Sequence, residues 1–165
     1  CPSDAIETAA VVRAAYTYRG PVYLRISRIG VKDYHTKDYS FTIGKGELVQ
    51  EGKDCTIVAA GIMVAEAIEA AEVLASEGIS VRIVNMASIK PIDKERLLEI
   101  YMNFKYIVVL EEHTIHGGLY SSIMEEYGKG DLNSYTIEKI LSISINDIFS
   151  HHIGSQENLR KFNYQ

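Results

Sequence analysis

The densest run of chemically capable side chains in this 165-residue sequence is Glu111-Glu112-His113-Thr114-Ile115-His116-Gly117-Gly118. Two carboxylates and two imidazoles at this spacing could ligate a metal or carry out acid–base work. The run follows an apolar segment, Tyr106 to Leu110, that reads as a strand. Neighbouring strand residues point to opposite faces, so Glu111 and Glu112 diverge, and the sequence fixes no third ligand. Gly117 and Gly118 precede a helix through Tyr127. The free N–H groups at such a helix start can hold an anion or a carboxylate of the protein itself. The run therefore reads as a structural turn before it reads as a metal site.

Arg28 ends the run Arg25-Ile26-Ser27-Arg28, just past a segment, Pro21–Ile26, that reads as a strand with proline at its tolerated first position. Its guanidinium can offer a forked set of donors to a phosphate or carboxylate. Taken alone, it reads first as a solvated surface arginine. Gly61 stands between a strand and a helix, but the dinucleotide fingerprint needs three spaced glycines and AAGIMVAEA has one, so it reads as a packing glycine. The Asn85–Ser88 turn is a third candidate at a strand end. His151-His152 is a neighbouring pair whose side chains diverge, and His35, in a polar stretch without periodicity, carries no chemical signal. Cys1 and Cys55 are too far apart in sequence and too few for a disulfide framework or a zinc site, and Cys55 opens an apolar strand as a buried thiol would.

These candidates need elements to position them. Asp4 can cap a first helix with Glu7 answering it as in a capping box, and Ala5, Ala9, Val12 and Tyr16 share one helix face. Ile29 to Ser40 reads as a linker. Phe41 to Asp54 suggests an edge strand around Leu48-Val49. Thr56 to Ala60 is a continuous apolar run, as in a strand covered on both faces. Val64, Ala67, Ile68, Ala71, Leu74 and Ala75 line one side of the next helix, with Gly78 at its end. Val81 to Met86 is a further strand. Asp93 reads as the N-cap of a helix buried through Leu97, Leu98 and Tyr101, with Ile92 and Leu97 as a hydrophobic staple. Leu141, Ile143 and Ile145 alternate with Ser142 and Ser144, as in a strand near an edge with one more polar face. A short helix around Gln156 to Phe162 closes the chain. Strands alternating with helices imply an α/β three-layer sandwich: a mostly parallel sheet of about five strands with helices on both faces.

The net charge of −5 argues against nonspecific nucleic-acid binding, and no apolar run reaches the length of a membrane span. A cytoplasmic protein is the expectation.

The run PSDAIETAAVVRAAYTYRGPVYLRISR resembles the end of the pyrimidine-binding domain of transketolases. The runs EGKDCTIVAAGIMVAEAIEAAEVLASEGISVRIVNMASIKPID and YIVVLEEHTIHGGL resemble their C-terminal domain, closest to the C-terminal subunit of split bacterial or archaeal transketolases. The resemblance implies residues 1–30 as the tail of a pyrimidine-binding domain, 31–40 as a linker and 41–165 as a transketolase C-terminal domain. It implies a parent enzyme that moves a two-carbon ketol unit between sugar phosphates with thiamine diphosphate and a divalent metal. Both are held by a portion that lies before these residues in the family, so the resemblance implies a partner carrying it, a homodimer, and an isolated chain that is inactive and binds neither cofactor nor metal. One family residue carries over: the arginine of the Ser-Arg motif, here Ser27-Arg28, which binds the substrate phosphate. The following Ile29-Gly30 departs from the form of full-length transketolases. The beta subunit of 2-oxoacid dehydrogenases, a fragment of deoxyxylulose-phosphate synthase, and a noncatalytic dimerisation or effector-binding module are the alternative readings.

Overall fold

The structure is a computed structural model that describes residues 1–130, 134–149, 151–156 and 158–159. The elements run α1 (Ala5–Thr17), β1 (Glu47–Gln50), β2 (Cys55–Ala59), α2 (Met63–Ser76), β3 (Val81–Asn85), α3 (Lys94–Asn103), β4 (Tyr106–Thr114), α4 (Leu119–Tyr127) and β5 (Lys139–Ile145). One five-stranded sheet has the order β1-β3-β2-β4-β5. β2, β3, β4 and β5 are parallel, and β1 joins the β3 edge antiparallel. This is the three-layer α/β architecture expected from the alternation of strands and helices, with β1 and β5 at the edges.

Strand periodicity sorts the core into two layers. Val58, Val84, Ile107 and Val109 face α3 and α4, where Leu97, Ile100, Tyr101, Leu119 and Ile123 pack on them. Ile57, Ala59, Ile83 and Leu110 face α2 and its Val64, Ala67 and Ala71. The central strands are therefore apolar on both sides, which is why their runs are continuous rather than alternating. In α3 the buried side is Leu97, Ile100 and Tyr101, whereas Leu98 is exposed.

The caps follow the sequence closely. Asp93 accepts from the Arg96 N–H and also from the Gly46 N–H, tying the start of α3 to the approach of β1. Replacing Asp93 by alanine removes a cap and a loop anchor together. The expected loss is about 1–2 kcal/mol, read as a lowered urea midpoint at unchanged slope. Gly78 has φ +82, the left-handed conformation that ends α2.

Three expectations change. Pro21–Ile26 belongs to no strand. A strand is a paired element, and this segment has an extended-strand composition without a neighbouring strand to hydrogen-bond with. α1 buries Glu7, Ala10 and Val11, while the stripe Ala5, Ala9, Val12 and Tyr16 faces solvent. Asp4 does cap α1, but the Glu7 carboxylate reaches back to the N–H and hydroxyl of Ser3 rather than to the Asp4 N–H. β5 is an edge strand with one more polar face, as expected, and the polar face is the one turned inward. Ser144 is buried and hydrogen-bonded to Ser142, and Leu141 and Ile143 are exposed on the side that α2 does not reach. Gln156, Asn158 and Leu159 are helical, and the rest of the closing helix expected to Phe162 lies outside the described residues.

Candidate functional site

Open parallel sheets place ligands beyond the carboxyl ends of their strands. Two adjoining cavities open there. The smaller, about 340 Å³, lies between Gly61 after β2, Glu112 on β4 and the segment carrying Arg25, Ser27 and Arg28. The larger, about 550 Å³, is lined mainly by apolar groups of α1, the segment Pro21–Leu24, Phe41, Ile43 and the turn after β3. Arg28 thus sits on the wall of a cavity at the strand ends, with the side-chain hydroxyl of Ser27 accepting from the Ile29 N–H and shaping the bend that follows. Gly61 has φ +63, and a Cβ there would meet the Cys1 sulfur at 2.9 Å. Its role is the tight approach of Cys1, consistent with a packing glycine.

The segment Glu111 to Gly118 does not assemble a metal site. Glu111 is fully buried, and its carboxylate accepts from the Leu119 N–H at 2.7 Å and the Tyr120 N–H at 2.8 Å. It occupies the N-terminus of α4, where the helix dipole favours negative charge. The anion that the sequence allowed at this helix start is the protein's own carboxylate. Glu112 points the other way, into the smaller cavity, where it accepts from the Gln156 side-chain amide. His113 Nδ1 donates to the Thr114 carbonyl and the ring lines the larger cavity, while His116 is exposed. The two histidines and two carboxylates therefore serve four different surroundings. His151 and His152 are exposed beyond β5.

The group that sequence reasoning missed is His35. It is 8% exposed, with its Nδ1 2.8 Å from Asp4 Oδ2 and its Nε2 2.7 Å from Glu47 Oε2. The Tyr34 and Tyr39 rings flank it at centroid distances of 4.1 and 3.9 Å. Burial works against its charged form, but the hydrogen bonds to Glu47 and Asp4 outweigh that and hold its pKa above the ordinary value. Asp4 also accepts from the N–H groups of Tyr34 and His35. Burial raises its pKa, the backbone donors and the imidazole lower it, and the net direction is down. Next to this clasp the buried Glu7 carboxylate receives Ser3, the Tyr39 hydroxyl and the Asn85 amide. Burial drives the Tyr34 and Tyr39 hydroxyls strongly upward, so both stay neutral donors. Through these bonds the stretch from Tyr34 to Tyr39 is fastened to the start of α1 and to β1. The one hint in the sequence was a histidine flanked by tyrosines in an otherwise polar stretch.

Glu7, His35 and Glu47 also form the cluster of described residues with the spacing to surround a metal ion. Each is already engaged by protein partners: Glu7 by Ser3 and Tyr39, and His35 and Glu47 by each other. The cluster does not fit the divalent metal of a bound diphosphate. No helix among the described residues is long and apolar enough to cross a membrane.

Comparison with known proteins places this geometry. The family described as transketolase, C-terminal domain, matches residues 44–164. A protein of Methanocaldococcus jannaschii described as a putative transketolase C-terminal section is 38% identical over 98% of this chain, which spans 49% of that protein. The 1-deoxy-D-xylulose-5-phosphate synthase of Heliobacterium modesticaldum is 42% identical over 75% of this chain but only 20% of its own length. Among solved structures, a split gene transketolase described as an inactive beta4 tetramer superposes with a TM-score of 0.83 at 43% identity, over 91% of this chain and 48% of that one. The chain therefore spans about half the length of the Methanocaldococcus protein and of the solved split gene transketolase, and it belongs to the transketolase C-terminal domain family.

Proposed function

We propose that this chain is the C-terminal part of a thiamine-diphosphate-dependent transketolase, and that Arg28 binds the phosphate of the sugar substrate. The observation that carries the reading is the placement of Ser27-Arg28 on the cavity at the carboxyl ends of β2 and β4, in a chain similar along 98% of its length to a transketolase C-terminal section. Residues 1–30 are then the tail of a pyrimidine-binding domain, 31–40 the connection and 41–165 the C-terminal domain. The outward apolar stripe of α1 supports this. Tyr16 is 91% and Tyr23 86% exposed, and Val12, Val22 and Ile26 accompany them. Apolar side chains concentrated on one helix and its unpaired neighbouring segment mark a face that another body covers.

On this reading the diphosphate, its metal and the cleavage chemistry belong to a complementary portion, on the same polypeptide or a partner subunit, and the whole assembles as a dimer in the cytoplasm. Bound there, thiamine diphosphate supplies the carbanion that accepts the two-carbon unit. This chain contributes charge and shape at the far end of the substrate. The similarity to a synthase whose product carries a phosphate agrees with an anion-binding role for Arg28.

The test reconstitutes the chain with its complementary portion and follows ketol transfer between sugar phosphates. Arg28→Gln is expected to raise KM for the phosphorylated acceptor by about 10- to 100-fold, the range of a charge-assisted hydrogen bond to phosphate. An assembled enzyme that transfers ketol groups with KM unchanged in this variant sinks the role of Arg28. An assembled enzyme without ketol transfer sinks the reading as a whole.

A further inference from the structure

The smaller cavity is lined by a second arginine that no carboxylate among the described residues neutralises. The arginines that serve the scaffold are neutralised. Arg82 pairs with Glu51 at 2.8 Å and with Glu99 at 2.6 Å, and Arg96 pairs with Glu99 at 2.5 Å. Arg25 is half-buried and stands on the wall between the two cavities, and among the described residues no carboxylate pairs with it or with Arg28. Partial burial of an unpaired guanidinium costs solvation that an anion would return.

Arg25 is also held in place. Its Nη2 donates to the Cys1 sulfur at 3.3 Å. Cys1 is itself fixed by two backbone hydrogen bonds: its nitrogen donates to the Ala87 carbonyl at 2.8 Å, and its carbonyl accepts from the Gly61 N–H at 3.1 Å. The sulfur fits only because position 61 has no Cβ. Gly61, Cys1 and Arg25 thus form a chain of contacts from the end of β2 to the cavity wall. Glu112 lines the same cavity, and its carboxylate accepts from the Gln156 side-chain amide.

We propose that Arg25 is a second guanidinium for the substrate's terminal phosphate, acting beside Arg28 and aimed by Cys1. The proposal rests on the transketolase reading and deepens it. Two arginines on one cavity match the two charges of a phosphate monoester above its second pKa, which is about 6. Arg28 is exposed and comes from a bend, so it adapts to the ligand, whereas Arg25 is positioned before the ligand arrives. The site therefore selects the phosphorylated end of an acyclic or cyclic sugar over its neutral counterpart.

The test uses the assembled enzyme and two readouts. One is the affinity for inorganic phosphate, from a ³¹P titration that needs no turnover. The other is the ratio of kcat/KM for a phosphorylated sugar to that for the same sugar without phosphate. Arg25→Gln is expected to weaken inorganic phosphate by about 10- to 100-fold and to lower the ratio by a similar factor. Arg25→Lys keeps the charge but loses the fork. It should fall between wild type and Arg25→Gln, and it carries the test where Arg25→Gln does not assemble. Cys1→Ala, which leaves both arginines present, should weaken phosphate several-fold. Phosphate affinity unchanged in both Arg25 variants but reduced in Arg28→Gln overturns the role of Arg25 and leaves the Arg28 reading standing. Unchanged affinity in all the arginine variants, or no phosphate binding by wild type, overturns both. Equal losses on phosphorylated and unphosphorylated sugars, with phosphate affinity intact, assign Arg25 a structural role and overturn the proposal.

Discussion

Replacing Gly118 by alanine is expected to destabilise the domain by about 3–5 kcal/mol, the range for leaving a buried charge unpaired. The cause is local and severe. A Cβ at position 118 would lie 2.1 Å from Glu111 Oε2 and 2.8 Å from the carboxyl carbon. Glu111 cannot step aside cheaply, because it is fully buried and anchored on β4, and both oxygens are held by the first N–H groups of α4. Moving it strands a carboxylate in the core and two helix-start donors with it. In a chain of this size the shift corresponds to a melting temperature lower by roughly 10 °C or more. Glu111→Ala should itself cost about 2–4 kcal/mol through the orphaned donors and the space left behind. The decisive measurement is the double variant. With the carboxyl group absent, Gly118→Ala should add less than about 1 kcal/mol, since the clash has no second party. Additive losses in the double variant would show that Gly118 is required for its backbone and not for Glu111.

The sheet, its edges and most helix boundaries were legible because their signals are local. Thr56–Ala60 and Tyr106–Leu110 are apolar on both faces since they lie between α2 and the α3–α4 layer. Asp93 and Gly78 announce their helix ends within a few residues. The fate of Glu111 was half legible: a helix start after two glycines must receive negative charge, but which of two adjacent glutamates supplies it depends on the pleat of β4. Pro21–Ile26 has strand composition and α1 has an outward apolar stripe, yet the segment is in no strand and the stripe is exposed, as the proposed covering of this face by a complementary portion would require. β5 was legible as an edge strand with one more polar face, but not in which face turns inward: Ser144 is buried and bonded to Ser142, while Leu141 and Ile143 are exposed. His35 was illegible because its partners lie 31 and 12 positions away, and no periodic rule connects them.

That distant pairing makes His35 the pH-sensitive fastening of this fold. Its imidazolium sits between Asp4 and Glu47, with Glu7 and the neutral hydroxyls of Tyr34 and Tyr39 close by. Since the folded-state pKa is raised above 6.5, the folded protein holds the proton more tightly than the unfolded chain does. The stabilisation is therefore complete below about pH 6.5 and is lost as the pH rises through the folded-state value. At the acid end, Asp4 has a lowered pKa, so its contribution is present above the usual aspartate range and disappears as the pH falls through the folded value. The clasp is strongest in mildly acidic solution. His35→Ala breaks two charge-assisted hydrogen bonds and leaves Asp4 buried without its imidazole, for an expected cost of about 3 kcal/mol there. His35→Gln retains hydrogen bonding without the charge and should lose less, with no pH dependence of its own. Thermal melts of wild type and His35→Gln across the pH range should show the gap between them narrowing as the pH rises above 6.5, while both destabilise together in strong acid. A gap that stays constant through neutral and alkaline pH would mean that His35 is held as the neutral ring, and that its bonds to Asp4 and Glu47 carry no net charge.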